Sequence, residues 1–224
     1  MAQASMQIVR QDFQIEVLAL GPLQVNTILL HQAGVSGGWL FDGGADAAAV
    51  QEYLAANGLA VTALWHTHAH FDHMGTSASF ASDLPGYLAH EDLPLYGQLE
   101  RHGQIFGIQV KYDPQRIWQD LPADQIFAWG AQKDFMRVLA TPGHTPGGRC
   151  FYFPSLDLLF SGDTLFAGAV GRTDLPGGDW EQLKVSLREQ ILPLPDTTTI
   201  IPGHGSRTTL KAEKNNNPYL QDLF

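Results

Sequence analysis

His66-Thr67-His68-Ala69-His70-Phe71-Asp72-His73 is the stretch on which the reading of this chain turns. Four ligand-type side chains, His68, His70, Asp72 and His73, fall within six residues. In an extended segment alternate side chains share a face, so His68 and His70 can hold one cation through neutral imidazoles. The following His73-Met74-Gly75-Thr76-Ser77-Ala78 reads as a helix entered at Asp72, a turn that redirects Asp72 and His73 towards a second position beside the first. Four such groups packed together are unfavourable unless a cation neutralises and orders them. Carboxylate with imidazole suits zinc, iron or manganese, and geometry rather than ligand type chooses among these. His66, just ahead of the motif, reads as a packed residue or a support for the ligands.

Residues 61–65 are an apolar run that delivers the chain into the cluster as a buried strand. Ahead of it, Phe13–Leu20, 26–31 and 39–41 read as strands, the last closed by Asp42-Gly43-Gly44. Residues 46–56 carry Val50 and Leu54 at helical spacing and stop at Asn57-Gly58. Past the cluster the pattern is less regular. Residues 91–102 read as a helix weakened by Pro94 and Gly97, while 136–140, Arg149–Phe153, 158–160 and 197–201 read as strands. Trp180, Leu183, Leu187 and Ile191 give 180–191 a helical period ended by Pro193. His68, His144, Asp163 and His204 each follow a strand-like run, in a turn rich in Gly, Pro or Thr. An α/β scaffold builds a site on one edge in this way, from polar side chains at the ends of separate strands.

With 224 residues, 44% of them apolar and 16% charged, the chain can bury a sizeable core. No linker, low-complexity tract or short repeat divides it, so residues 1–224 read as one domain. A formal charge of −10 argues against a nucleic-acid partner, which needs a concentrated basic surface. It leaves anionic small substrates open, because a bound divalent cation dominates the field in its own pocket. The single cysteine, Cys150, excludes an internal disulfide framework and a Cys-rich zinc site, and its apolar setting reads as core. Apolar runs are strand-sized, well short of the roughly 20 residues that span a bilayer. Residues 1–10 hold no apolar stretch of signal-peptide length, so cytoplasm is the expected compartment, with no membrane partner. His31, His90 and His102 read as surface or loop residues, and Phe166, Trp180 and Tyr219 as core packing.

The pattern His-x-His-x-Asp-His from His68 to His73 resembles the signature of the metallo-β-lactamase superfamily. Later segments extend the resemblance in order: Thr141-Pro142-Gly143-His144, Ser161-Gly162-Asp163 and Pro202-Gly203-His204. Asp42-Gly43-Gly44 resembles the superfamily's buried turn that supports the ligand loops. The resemblance implies a four-layer αβ/βα sandwich, two mixed sheets with helices outside. It also implies that His68, His70 and His144 bind a first metal, that Asp72, His73 and His204 bind a second, and that Asp163 bridges them. Two divalent ions, zinc ahead of iron or manganese, are the expected cofactors.

No Gly-x-Ser-x-Gly elbow offers a protein nucleophile, so a metal-activated hydroxide is the expected attacking group, with Asp72 orienting it or taking its proton. The run from Gly168 to Asp179 and Asn217-Pro218-Tyr219-Leu220 resemble the short glyoxalase II-type thioesterases, which hydrolyse acyl-glutathione thioesters such as S-lactoylglutathione. Arg172 is a candidate contact for a substrate carboxylate or, equally, a partner of Asp174, and Arg207 is a second substrate candidate. Two departures stand against full-length glyoxalase II: Gly205-Ser206 replaces an acidic-Tyr pair, and only 20 residues follow His204. A persulfide dioxygenase with one iron, a lactonase and a non-catalytic metal-binding scaffold are the competing readings, and the oligomeric state is open.

Overall fold

The structure is a computed structural model that describes residues 4–223. The chain divides into two compact units, one ending at Asp120 and the other beginning at Leu121. Each is built on one six-stranded mixed sheet, which meets the expectation of an α/β chain with two mixed sheets.

The first sheet follows chain order: β1 (Met6–Arg10), β2 (Phe13–Leu20), β3 (Val25–Gln32), β4 (Gly37–Phe41), β5 (Ala60–Trp65) and β6 (Gly86–Tyr87). Its first four strands form an antiparallel meander. Helix α1 (Ala47–Asn57) then returns the chain so that β5 lies parallel to β4 and β6 parallel to β5. The Asp46 side chain caps α1 by accepting from Ala49 N at 3.0 Å, and Gly58 ends it at a left-handed φ of 64°. Val50, Tyr53 and Leu54 of α1 pack on Leu18, Leu29, Leu40 and Leu64 of the sheet. Short helices α2 (Phe71–Met74), α3 (Leu93–Tyr96) and α4 (Leu99–Ile105) follow. The helix expected over 91–102 is thus broken into pieces: Pro94 stands in the first turn of α3, Gly97 ends α3 after one turn, and a separate helix, α4, starts at Leu99.

In the second unit β7 (Ile126–Trp129), β8 (Gln132–Ala140), β9 (Arg149–Phe153) and β10 (Leu158–Gly162) make an antiparallel run. A two-stranded hairpin, β11 (Leu165–Phe166) with β12 (Ala169–Val170), comes next. Helix α5 (Trp180–Ser186) continues into a π-helical turn, Leu187–Ile191, and leads to β13 (Thr199–Pro202), which joins β10 in parallel. Strand β14 (Thr208–Thr209) and helix α6 (Leu210–Asn216) complete it, with sheet order β14-β13-β10-β9-β8-β7. Leu183, Leu187 and Ile191 are fully buried against Leu159, Ile200 and Leu210. Trp180, read as part of the same stripe, is instead 37% exposed, because it stands at the first turn of α5 beyond the core. Tyr219, also expected in the core, is 49% exposed with its ring 6.3 Å from that of Trp180.

His31 departs from expectation in the other direction. It is buried on β3, its Nε2 3.8 Å from Glu16 Oε1, because Glu16 and His31 face the same side of the sheet as Tyr53. His90 is exposed and His102 half-buried. Among the described residues no helix is long and apolar enough to cross a membrane.

Candidate functional site

In the first unit the donors are gathered by the parallel ends of β4 and β5. Phe41 pairs with Trp65 across that ladder, so Asp42 and His66 leave the sheet side by side. Asp42 takes a left-handed φ of 45°, and the next residue must be glycine. A Cβ on Gly43 would lie 1.9 Å from Thr76 Oγ1. The turn aims the buried Asp42 carboxylate back at the histidine segment, where it accepts from Thr67 N at 2.9 Å, Thr67 Oγ1 at 2.7 Å and His73 Nδ1 at 3.1 Å. A carboxylate only accepts, so the Thr67 hydroxyl donates to it and can receive the His68 Nδ1 proton at 3.0 Å. Asp42 therefore orients His73 directly and His68 through Thr67, leaving Nε2 of each ring for a ligand. Burial pushes the Asp42 carboxyl up, but the charge and hydrogen bonds of His73 and His66 outweigh it and hold the group well below the usual carboxylate range.

His68 Nε2 lies 3.0 Å from His70 Nδ1, and His73 Nε2 lies 3.8 Å from Asp72 Oδ2. Two donors on one tetrahedral ion at about 2.0–2.1 Å stand roughly 3.4 Å apart, so both spacings suit a shared cation. Helix α2 begins at Phe71, which turns Asp72 and His73 out of the extended His68–His70 line, as expected. Buried Asp92 accepts from Ala69 N at 2.9 Å and so holds the peptide between His68 and His70.

In the second unit β8, β10 and β13 run in one direction, and their carboxyl ends carry His144, Asp163 and His204. Thr141 N donates to Gly148 O at 2.8 Å to close the His144 loop, and Asp179 N donates to Gly143 O at 2.8 Å to tie it to the start of α5. His144 Nδ1 donates to the Arg172 carbonyl at 2.7 Å, which leaves Nε2 3.6 Å from Asp163 Oδ2. His204 Nε2 stands 3.6 Å from that same oxygen. A carboxylate between two imidazole nitrogens is placed as a bridging ligand would be. Gly171 makes room for this: a Cβ there would lie 1.9 Å from Asp163 O and 3.2 Å from His144 Cβ. Phe166 is half-buried with its ring 6.4 Å from that of His204.

The model of the metallo-β-lactamase superfamily matches residues 20–204. The chain belongs to the metallo-β-lactamase superfamily. Membership places it among the metallo-hydrolases, on a fold that binds two metal ions. It is 34% identical over 211 residues to a probable metallo-hydrolase, YqgX, of Bacillus subtilis, covering 91% of this chain and 95% of that one. It is 33% identical over 212 residues to the hydroxyacylglutathione hydrolase GloC of Haemophilus influenzae, covering 92% of this chain and 97% of that one. Among solved structures it is similar to TTHA1623 in a di-iron-bound form, with a TM-score of 0.82 and 38% identity over 91% of this chain and 99% of that one.

The two basic candidates for a substrate contact stand differently within this metallo-β-lactamase chain. Arg172 is exposed and grips Asp174 through both Nε (2.8 Å) and Nη2 (2.7 Å), the structural one of its two readings. The guanidinium lowers the Asp174 carboxyl to about 2. Arg207 is exposed on the loop after His204 and pairs with no carboxylate among the described residues. Asn217 is a brace: its Nδ2 donates to Ala169 O at 3.1 Å and to Glu213 Oε2 at 2.8 Å, binding the end of α6 to the β11–β12 hairpin. Cys150 is buried, as expected, with Sγ 3.4 Å from Ser161 O. Asp92, Ser77 and Arg116 support the first cluster and carry no local signal in the sequence. Asp92 in front of Leu93-Pro94 reads as a helix cap, whereas its partner lies 23 residues upstream.

Proposed function

We propose that the chain is a glyoxalase II-like thioester hydrolase acting on S-acylglutathiones such as S-lactoylglutathione. In this reading His68, His70 and His144 hold one divalent cation, Asp72, His73 and His204 hold a second, and Asp163 bridges both, with zinc as the expected metal. The supporting observation is the state of the rings within each unit. His73, His68 and His144 have one nitrogen tied to a protein acceptor, and the remaining donors face one another at 3.0–3.8 Å. Such a donor set fits a borderline divalent ion and leaves its imidazoles pre-oriented.

Bound ions of this kind lower the pKa of a water from about 16 to near 7 and polarise a carbonyl. The chain's residues supply the rest. Asp72, whose Oδ2 faces His73 Nε2 at 3.8 Å, is the carboxylate assigned to take the proton of the attacking water through its other oxygen. Asp42 and the Arg172 carbonyl keep the rings from reorienting as charge develops on the substrate. Arg207 is assigned to the substrate's carboxylate, and Arg172 becomes a second contact where substrate competes for it with Asp174.

A protein nucleophile has little support. Cys150 is packed in the core, and Ser77, His66 and Asp42, though in the order of a hydrolytic triad, are 1%, 1% and 3% exposed, too deep for an acyl group to reach. The choice of a glutathione thioester rests on the similarity to GloC and on the Gly168 to Asp179 run. The test pairs hydrolysis of S-lactoylglutathione with that of a glutathione-free thioester, metal content being measured on the same preparation. Turnover of the first with two equivalents of metal is the expected result. Turnover of the second alone removes glutathione, and oxygen uptake with glutathione persulfide on a single iron overturns the hydrolase reading.

A further inference from the structure

Behind the ligands of the first unit runs a buried polar chain whose far members, Ser77 and His66, the proposed reaction does not use. Ser77 Oγ lies 3.0 Å from His66 Nε2, His66 Nδ1 lies 3.7 Å from Asp42 Oδ1, and Asp42 Oδ2 lies 3.1 Å from His73 Nδ1. Its far end is anchored. Arg116 Nη2 donates to the carbonyls of Ser77 (3.2 Å), Phe80 (2.9 Å) and Ala81 (2.9 Å), and its guanidinium covers the Trp118 ring at 5.4 Å. Trp118 in turn meets the His66 ring edge to face at 5.1 Å.

We propose that His66 is a positioning residue for the ion assigned to His73: together with Ser77 it steadies Asp42 Oδ1, so that Oδ2 stays aimed at His73 Nδ1. The inference rests on the two-ion reading above. A carboxylate turns about its Cβ–Cγ bond, so both oxygens must be held for either to keep its direction. Oδ2 takes the Thr67 hydroxyl and His73, whereas Oδ1 takes Thr67 N from one side and faces the His66 ring on the other. Ser77 Oγ can donate to Nε2; the His66 proton then sits on Nδ1, 3.7 Å from Asp42 Oδ1, longer than a hydrogen bond but close enough for a buried charge–dipole contact. Asp42 reaches His73 directly and His68 only at one remove, through the Thr67 hydroxyl, so the effect falls first on the ion assigned to His73.

The test is a metal titration of metal-free wild type, His66→Phe, His66→Asn and Ser77→Ala with cobalt(II). Binding is followed by visible absorption and stoichiometry by elemental analysis. Wild type is expected to take two ions. His66→Phe keeps the ring volume but not the donor, and is expected to bind the ion assigned to His73 about tenfold more weakly, with an altered absorption band for that ion and a smaller change for the other. His66→Asn, whose amide nitrogen replaces Nδ1, recovers part of the loss, and Ser77→Ala shows a smaller one. Should His66→Phe lose its far-ultraviolet circular dichroism, Ser77→Ala reads the same contacts with a smaller change in volume. Two ions bound with wild-type affinity and spectrum in both His66→Phe and Ser77→Ala would overturn the inference alone. Fewer than two ions in wild type would overturn the two-ion reading, and the inference with it.

Discussion

Replacing Asp42 with Asn alters the hinge of the first cluster while hardly changing its volume. The carboxylate accepts from three donors at 2.7–3.1 Å and is 3% exposed. An amide has one acceptor oxygen. Left on Thr67 N, it turns its NH2 towards the Thr67 hydroxyl, which can rotate to accept, and towards His73 Nδ1, donor against donor; flipped, it abandons Thr67 N. Either way at least one buried donor loses its partner, which costs about 1–3 kcal/mol. The bonds that survive lose the charge that makes such contacts roughly twice as strong as neutral ones. A destabilisation of about 2–4 kcal/mol of the metal-free protein is expected in urea unfolding. The ion assigned to His73 should bind about 10–100-fold more weakly in metal titration. The pH dependence carries the same sign. Asp42 is depressed in the folded chain, so its stabilisation is present above the unfolded value of about 3.9 and is lost as pH falls through and below it. The Asn variant should show a flatter acid limb than wild type. An Asn variant of equal stability, equal metal affinity and unchanged acid limb would refute the role given to Asp42.

Gly171→Ala forces a Cβ to within 1.9 Å of the Asp163 carbonyl; it should cost about 3 kcal/mol and lower metal content, and a variant with unchanged thermal midpoint and metal would refute the close approach. Burial and the Glu16 carboxylate push the Tyr53 hydroxyl up to about 12, above its unfolded value of about 10. Its contribution is therefore full below pH 10 and lost as pH rises through about 12, so the stability gap between wild type and Tyr53→Phe should shrink over that window, and a gap that stays constant would refute it. Arg207→Ala should leave the thermal midpoint unchanged while raising KM for an anionic thioester several-fold with kcat preserved; an unchanged KM removes Arg207 from the substrate site. Chelation should abolish hydrolysis, and adding back zinc, iron and manganese in turn, with turnover and bound metal measured for each, identifies the working ion; turnover that persists in metal-free protein would refute the metal mechanism.

The parts of the fold that were legible in advance share a cause. Apolar runs such as Phe13–Leu20 and Arg149–Phe153 are long, buried on their sheets and closed by turn residues, so their period and their ends both show. Strand β1 hides because its core-facing Ile8 is flanked by residues such as Val9 that an edge strand leaves exposed, and the four-residue β7 is too short to establish a period. The segment 91–102 has the composition of a helix, but Pro94 and Gly97 divide it into turns whose course is set by contacts such as Asp92 with Ala69. Trp180 matched the stripe of Leu183, Leu187 and Ile191 by spacing alone. Spacing cannot say that the core stops one turn short of it.

The same distinction separates the proposed ligands from everything that surrounds them. His68, His70, Asp72 and His73 are confined to one strand end and one helical turn, so their spacing is itself the geometry, and the chain order of the later ligands supplies the rest. Their supports obey no such local rule. Asp42 reaches His73 because β4 and β5 are parallel neighbours, and Arg116 reaches Ser77 across 39 residues because the loop before Asp120 folds back over it. Substrate contacts are further still from local rules. Arg172 has Asp174 two residues away in the sequence, yet only folding decides whether that pair forms, and only a competing anion decides whether it persists. In the proposed reading the first metal cluster is specified by residues near one another in the chain, and substrate choice by exposed residues whose partners are exchangeable. For that reason Arg207, with no carboxylate partner among the described residues, is the more informative substitution of the two: a change in KM there has no broken ion pair to be confused with.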